Sequence, residues 1–310
     1  MDPVVAATGA YAPREVYGDP HVITNFTLGE FGRLGNQLFQ VATLYALSKQ
    51  TGRRWMLPPG GWKYAEMLEM PLPQWDLSNR PRLGQVYTYH EPSHAYHAID
   101  ARALPQDRHW NITGNFESLK YFDFCSDDIR RMFQLRRKYQ GTVDKAYIDA
   151  TTGARRVIGM HVRRGDIAES HWRGYMKPLS IDYYRRAVRR ILSEERSSGG
   201  HVAVVVCSDD RRWCRDNVTP EALGLAPEST TIVVSNFDQD ILDMHLLSRC
   251  PTLIMSNSTF SWWAAVLGNV DTVVTSDSWY KNHFTSPLTL NMHTRDLVLS
   301  NWIQIRATDS

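Results

Sequence analysis

Apolar residues along the second half of the chain fall into short, β-branched runs. These are VIGMHV (157–162), HVAVVVCS (201–208), TIVVS (231–235), TLIMS (252–256) and DTVVT (271–275). Between them lie SIDYYRRAVRRILSEER (180–196), DDRRWCRDNV, DQDILDMHLLSRC (238–250) and STFSWWAAVLG (258–268), which read as helices. Continuous apolar strands alternating with helices predict βαβ units and a parallel sheet. Ser180 stands where the first helix needs an N-cap, and Asp209 or Asp210 where the second does. In such sheets ligands sit beyond the carboxyl ends of the strands.

The first half is less regular. HVITNFT (21–27) predicts a strand, LGEFGRLGNQ (28–37) a glycine-bearing loop, and NQLFQVATLYALSKQTG a helix stopped by Gly52. RWMLP (54–58) reads as a second strand. Residues 58–110 carry prolines, tryptophans and tyrosines without a clear period and read as an irregular, aromatic-lined region. Residues 117–150 read as mainly helical and basic, and the Gly/Thr-rich stretch 141–156 is the expected linker. A chain of 310 residues exceeds one comfortable core. Two domains are therefore expected, 1–153 and 154–310.

Composition removes several functional classes. A net charge of +2 is too near neutral for an electrostatic nucleic-acid binder. The basic clusters at 130–138 and 185–190 read as polar helix faces. No stretch approaches 18 apolar residues, so no transmembrane segment is expected. The N-terminus lacks the charged start and apolar core of a signal peptide, which leads us to expect a soluble, cytoplasmic protein. Cys125, Cys207, Cys214 and Cys250 show no metal-binding spacing and are expected as reduced thiols. Glycosylation triplets at Asn25, Asn111, Asn217 and Asn257 are weak evidence for secretion.

Candidate chemistry gathers at three strand ends. The strand at 157–162 delivers His161, Arg163, Arg164 and Asp166; the one at 201–208 delivers Ser208, Asp209 and Asp210; the one at 252–256 delivers Ser256, Asn257, Ser258 and Thr259. Arginine forks match phosphate oxygens, carboxylates accept the N–H groups of a guanine edge, and a hydroxyl-rich helix start offers N–H groups to phosphate. Together they describe a nucleoside diphosphate pocket. Each motif alone has a structural reading: an ion pair for the arginines and Asp166, a helix cap for Asp209 or Asp210, a capping run for SNSTFSWW. The loop GEFGRLGNQ does not have the G-x-G-x-x-G spacing of a dinucleotide site, and RRWMLP supplies no ribose-binding acid. Arg33 and Asn36, near Gly35, are its side chains able to reach across a cleft. DQD (238–240) matches the D-x-D of metal-dependent transferases, but it opens a helix, where capping is the expected role.

H-x-R-R-x-D at His161, Arg163, Arg164 and Asp166, GRLGNQLFQ at 32–40 and SNSTFSWWAA at 256–265 together resemble the α1,2-fucosyltransferase family. The likeness runs from about residue 22 to 280 and is patchy between motifs. It implies a GT-B fold, an α/β architecture of two Rossmann-like domains facing a central cleft. It further implies inverting transfer of fucose from GDP-fucose without a metal or other cofactor. The acceptor implied is a galactose-containing glycan, attacked through O-2; a peptide acceptor, or a non-catalytic nucleotide-sugar binder, is the alternative. By motif, Arg163 would stabilise the leaving β-phosphate, while His161 and one of Asp209 or Asp210 would hold the guanosine. Ser258, Thr259 and Phe260 would line the diphosphate, with Arg164 and Ser208 in the same donor-binding set. Arg33, Gly35 and Asn36 would reach donor or acceptor from the other domain. Inversion calls for a base near the attacking hydroxyl. Asp166, Glu169, Glu30 and His171 are candidates among which the residues do not choose, and a weak-base, oxocarbenium-like route is the alternative. Golgi members of the family begin with a membrane anchor, and none is visible in this N-terminus. The expectation is therefore a soluble non-Golgi enzyme or a form lacking its anchor. A homodimer is allowed.

Overall fold

The computed structural model describes residues 21–30, 32–71, 85–169, 176–193, 200–279 and 296–307, apart from the side chains of Asp166 and Glu169. The first half holds strands β1 (Val22–Thr24), β2 (Arg54–Trp55), β3 (Val86–His90) and β4 (His109–Thr113). They form one parallel sheet in the order β2-β1-β4-β3. The long helix α1 (Leu34–Thr51) lies between this sheet and the second half, which is why it is buried on nearly every side from Leu34 to Leu47. It stops where expected: Gly52 takes a left-handed conformation (φ 73°) and its N–H closes onto the Ser48 carbonyl.

Two expectations for the first half need correction. The region 58–110 is not wholly irregular, because it contains β3 and the start of β4. In β4, Trp110 and Ile112 are fully buried on one face. The loop before β4 is fastened by a buried arginine: Arg53 donates to the carbonyls of Arg108 and Gln106 and stacks on Trp110 at 3.9 Å. The expected linker 141–156 is mostly helix. After α2 (Ser126–Met132), α3 runs Arg137–Thr151 and places Val143 and Ala150 inward. The i, i+7 spacing of these two apolar residues prevails over the Gly/Thr composition.

The second half follows the alternation of its sequence: β5 (Arg156–Val162), α4 (Gly165–Glu169), α5 (Ile181–Ser193), β6 (Val202–Ser208), α6 (Arg211–Asn217), α7 (Pro220–Leu223), β7 (Thr230–Val234), α8 (Asp240–Leu247), β8 (Thr252–Ile254), α9 (Thr259–Leu267), β9 (Thr272–Ser276) and β10 (Ile303–Ile305). The sheet is parallel throughout, ordered β10-β9-β8-β5-β6-β7. The order reverses at β5, which pairs with both β6 and β8, so the crevice at the switch point opens beyond β5, β6 and β8. Residues alternate across the sheet: Ile158, Met160 and Val162 meet Tyr183, Tyr184 and Val188 of α5. On the other face Gly159 leaves room for the end of α8, since a Cβ there would stand 3.0 Å from Cβ of Cys250. The two buried tyrosines also fix the strand ends, Tyr183 Oη donating to the Met255 carbonyl and Tyr184 Oη to that of His161.

One apolar cluster runs from Ile23 and Trp110 through α1 to Trp262, Trp263 and Leu253. At its centre Trp263 stacks on Phe122 at 5.5 Å, and Phe39 and Phe133 pack within 4.9 and 5.3 Å of it. The two halves therefore share a core across their junction. All four cysteines are buried and unpaired. Asn25, Asn111 and Asn257 are buried as well, which leaves Asn217 as the exposed glycosylation triplet among them. No helix among the described residues is long and apolar enough to cross a membrane.

Candidate active site

A cavity of about 390 Å³ opens where the two halves meet. Arg33, Leu34 and Gly35 line it from the first half; His161, Arg163, Ser208, Asp209, Arg211, Asp238, Asp240, Asp243, Ser258, Thr259 and Phe260 line it from the second. Three strand ends thus converge on one space.

The wall at β8 is the start of α9. Ser258 is the N-cap, its Oγ accepting from the Phe260 N–H at 3.3 Å, and the same oxygen receives Nη1 of Arg163 at 3.3 Å. The guanidinium is held beside a helix N-terminus, so both present positive potential to the cavity. Asn257 does not face a ligand: it is buried and donates to the carbonyls of Lys177 and Trp279. Gly35 matters for closeness, since a Cβ on it would fall 2.5 Å from Thr259 Oγ1 and 2.6 Å from the Phe260 nitrogen. Trp263 Nε1 donates to its carbonyl at 2.9 Å.

His161 is buried, its ring 4.7 Å from that of Phe260, with Nδ1 3.1 Å from Ser261 Oγ. Burial drives its pKa down to about 3, against the pull of Asp209, so the ring is neutral near pH 7. It can offer a hydrogen bond to a ligand, but no charge.

Asp209 is a hub. Its Oδ1 accepts from the backbone N–H groups of Arg164 and Gly165 at 2.9 and 3.2 Å, and its Oδ2 takes Nη1 of Arg33 at 2.8 Å. The last contact bridges the two halves. Burial opposes the charge, but the Arg164 N–H, the Arg33 guanidinium and the Gly165 N–H outweigh it and hold the carboxyl below its ordinary value. Its side chain is only 15% exposed. Hydrogen bonds to a charged group contribute about 1.5–3 kcal/mol, so Asp209→Asn should lower stability by that order at pH 7. A depressed pKa stabilises the fold above the unfolded value and loses its effect as pH falls through the folded one. The gap between wild type and variant should therefore shrink below about pH 4, which urea titrations at pH 7 and pH 3.5 would measure.

Arg164 and Asp210 depart from the expected donor-binding set. Both lie outside the cavity lining. Arg164 stacks on Trp213 at 3.9 Å and pairs with Asp210 at 3.7 Å, while Asp210 caps α6 through the Trp213 N–H. Successive side chains leaving a strand point to opposite sides, so Arg163 turns inward and Arg164 outward. Ser208 lines the cavity, its Oγ accepting from the Asp210 N–H at 2.9 Å. The DQD segment also differs: α8 has no side-chain cap, and Asp240 Oδ2 instead accepts from Tyr64 Oη at 2.7 Å across the cleft. Among the base candidates, Glu30 is exposed, the side chains of Asp166 and Glu169 are not described, and His171 lies outside the described residues.

Two carboxylates escape the motifs. Asp243, 5% exposed, accepts from Ser235 Oγ and pairs with Arg211 at 3.3 Å; burial pushes its carboxyl up against both contacts. Glu117 is buried and accepts from Asn36 Nδ2. Its carboxyl is pushed up to about 7, by burial first and by Glu91 second, with Asn36 and Arg163 pulling the other way. The placement of Asn36 is thus explained by this partner. A second cavity of about 540 Å³ lies on the first-half side, bordered by Gly32, Gln37, Trp62, Lys63 and Tyr64. It shares Arg33, Leu34 and Asp240 with the first, so those three residues form the sill between them.

Two Rossmann-like halves with a cavity at their junction define a GT-B glycosyltransferase. An Arabidopsis thaliana FUT1 mutant in complex with GDP matches with a TM-score of 0.55 at 15% identity, covering 84% of this chain and 71% of that one. Fucosyltransferase NodZ from Bradyrhizobium gives 0.52 at 18% identity, over 86% and 97%. In sequence, residues 3–306 match glycosyl transferase family 11, and the chain belongs to that family. Galactoside alpha-(1,2)-fucosyltransferase 2 of Oryctolagus cuniculus is 28% identical over 323 residues, 98% of this chain and 84% of that protein. The enzyme is a fucosyltransferase.

Proposed function

We propose that this enzyme transfers fucose from GDP-fucose, with inversion and without a metal, to O-2 of a galactose unit in an acceptor glycan. The observation that carries the reading is Arg163 at the cavity wall, fixed on Ser258 at the start of α9. Breaking the bond between the sugar and GDP leaves negative charge on the β-phosphate, and a preorganised guanidinium beside a helix N-terminus stabilises it. A fixed cation at the diphosphate supplies the charge that a divalent ion supplies elsewhere. Inversion puts the acceptor on the sugar face opposite the leaving group. We place the acceptor in the second cavity, which adjoins the first and has Trp62 and Tyr64 on its border. The galactose acceptor and the α1,2 link follow the name of the rabbit relative, and GDP follows the Arabidopsis complex.

The test is GDP release from GDP-fucose with a panel of β-galactosides, with and without EDTA, followed by NMR assignment of the new linkage. Turnover unchanged by EDTA, with fucose on galactose O-2, is the expected result. A peptide-only acceptor, or loss of activity with EDTA restored by a divalent cation, would overturn the corresponding part.

A further inference from the structure

We propose that Asp240 binds the acceptor sugar, its free carboxylate oxygen accepting the hydroxyl next to the one that attacks, which on a β-galactoside is O-3. This rests on the transfer reading above and adds to it a specificity-determining residue outside the three family motifs.

The two cavities adjoin at Arg33, Leu34 and Asp240. Transfer joins an acceptor oxygen to C1 of the donor sugar, so the two substrates must touch where the cavities meet. A side chain bordering both stands beside the sugar unit that attacks. Leu34 is apolar, and Arg33 gives Nη1 to Asp209 at 2.8 Å. Asp240 is the carboxylate at the junction.

The other polar side chains of the second cavity have their partners. Gln37 is used at both ends: Nε2 donates to the Gly32 carbonyl at 2.9 Å, and Oε1 accepts from Trp62 Nε1 at 2.8 Å. Lys63 can only donate, and its ammonium lies over the Tyr64 ring, 4.4 Å from the centroid. Tyr64 Oη donates to Asp240 Oδ2 at 2.7 Å. Burial first, and this bond second, raise the Tyr64 pKa, so the hydroxyl keeps the proton it donates. Among the described residues nothing donates to Asp240 Oδ1, and no cation pairs with the carboxylate. A carboxylate has acceptor sites to spare after one such bond.

The carboxylate is also aimed from the first half. Trp62, fixed on Gln37 of α1, meets the Tyr64 ring edge-on at 5.4 Å, and Tyr64 holds Asp240. Trp62 and Tyr64 are 5% and 3% exposed, too covered to offer a sugar a stacking face. Recognition here falls to hydrogen bonds, and a bond from a hydroxyl to a carboxylate is about twice as strong as a neutral one. On a β-galactoside attacking through O-2, C1 carries the aglycone, so the neighbouring hydroxyl donor is the one on C3. Galactosides with a free 3-hydroxyl are the acceptor class this site takes.

The experiment is D240N beside the wild type, with a β-galactoside and its 3-deoxy analogue, and with GDP affinity by calorimetry. The amide keeps an oxygen for Tyr64 Oη and turns an NH2, which cannot accept, to the sugar. We expect acceptor KM to rise about 10–100-fold, with kcat within about threefold and GDP affinity within about twofold. The wild type should lose a similar factor on the 3-deoxy analogue, and D240N should lose little more on it, because both changes remove one bond. Wild-type acceptor KM in D240N, losses that multiply, or a fall in kcat or GDP affinity with acceptor KM unchanged would overturn the assignment. Galactosides left unmodified by the wild type would overturn the proposed function instead. Should D240N fail to fold, Y64F carries the test, since it frees the carboxylate from its aim. Acceptor KM raised at least about fivefold with GDP affinity kept supports the assignment, and an unchanged KM refutes it.

Discussion

Arg163→Ala is expected to lower kcat/KM for fucosyl transfer by about 10²–10³-fold or more while the protein stays folded. Removing one preorganised donor aimed at developing charge costs about 2.7–4 kcal/mol in other enzymes. Arg163 lines the cavity from the end of β5, with its Nη1 on a hydroxyl that also caps a helix. That arrangement fixes the cation before the substrate arrives, so no reorganisation is needed when charge appears on the leaving phosphate. Arg163→Lys keeps the charge but loses the planar fork, and should recover only part of the rate. Binding and turnover must separate: on the proposed reading GDP also meets His161 and the start of α9, which the variant keeps, so its affinity should fall less than kcat. Steady-state kinetics with calorimetry on GDP measure both. A variant that turns over at the wild-type rate would remove Arg163 from the chemistry.

The contrast between Arg163 and Arg164 shows what the sequence could and could not tell. The H-x-R-R-x-D run locates the end of a buried strand, because Ile158, Met160 and Val162 form a continuous apolar set. Two adjacent arginines there must diverge, one into the crevice and one away, yet composition is the same for both. The choice is made by Trp213 and Asp210, which offer Arg164 a stacking face and a carboxylate outside the cavity. Asp209 and Asp210 divide in the same way, one to the junction and one to a helix cap. Strands β5 to β9 were legible because both faces of their sheet are covered, which enforces unbroken β-branched runs. β3 was not, since Val86–Thr88 and Tyr89 are only half buried and leave no clear alternation. Glu117 and Asp243 stayed hidden for a different reason. Asp243 sits inside a helical run where an acid normally faces water, and Glu117 follows a turn in which Phe116 takes a positive φ (53°), which has no signature in residue type. Both owe their character to neighbours on other elements: Asn36, Glu91 and Arg163 for one, Ser235 and Arg211 for the other. The motifs thus mark the strand ends well, and the shell that sets each group's charge belongs to the tertiary fold.

Gly35→Ala is expected to damage the enzyme as severely as the loss of a catalytic group, though it adds a single methyl. The glycine is not needed for its backbone angles, since it lies in the first turn of α1. It is needed for space. The added Cβ would meet the carbonyl carbon of Thr259 and the nitrogen of Phe260, both at 2.6 Å, and these are backbone atoms of α9 with no side-chain freedom to give way. The two helices must separate, and separation stretches the bond from Trp263 Nε1 to the Gly35 carbonyl and loosens Trp263 from Phe39, Phe122 and Phe133. Overpacking of this kind costs about 1–3 kcal/mol. The functional cost should be larger, because the shift carries Ser258–Phe260 away from Arg33 and Asn36, and a misplacement of about 1 Å can cost 10²-fold in rate. The internal control is Gly141→Ala. Gly141 lies in α3, exposed, with nothing within 4 Å of the added Cβ. There the same methyl should stabilise the protein by up to about 1 kcal/mol through helix propensity alone, and leave transfer untouched. Chemical denaturation and kcat/KM on the two variants test the contrast. A Gly35→Ala enzyme with wild-type stability and rate would mean that α1 and α9 do not meet as closely as the 2.6 Å contacts require.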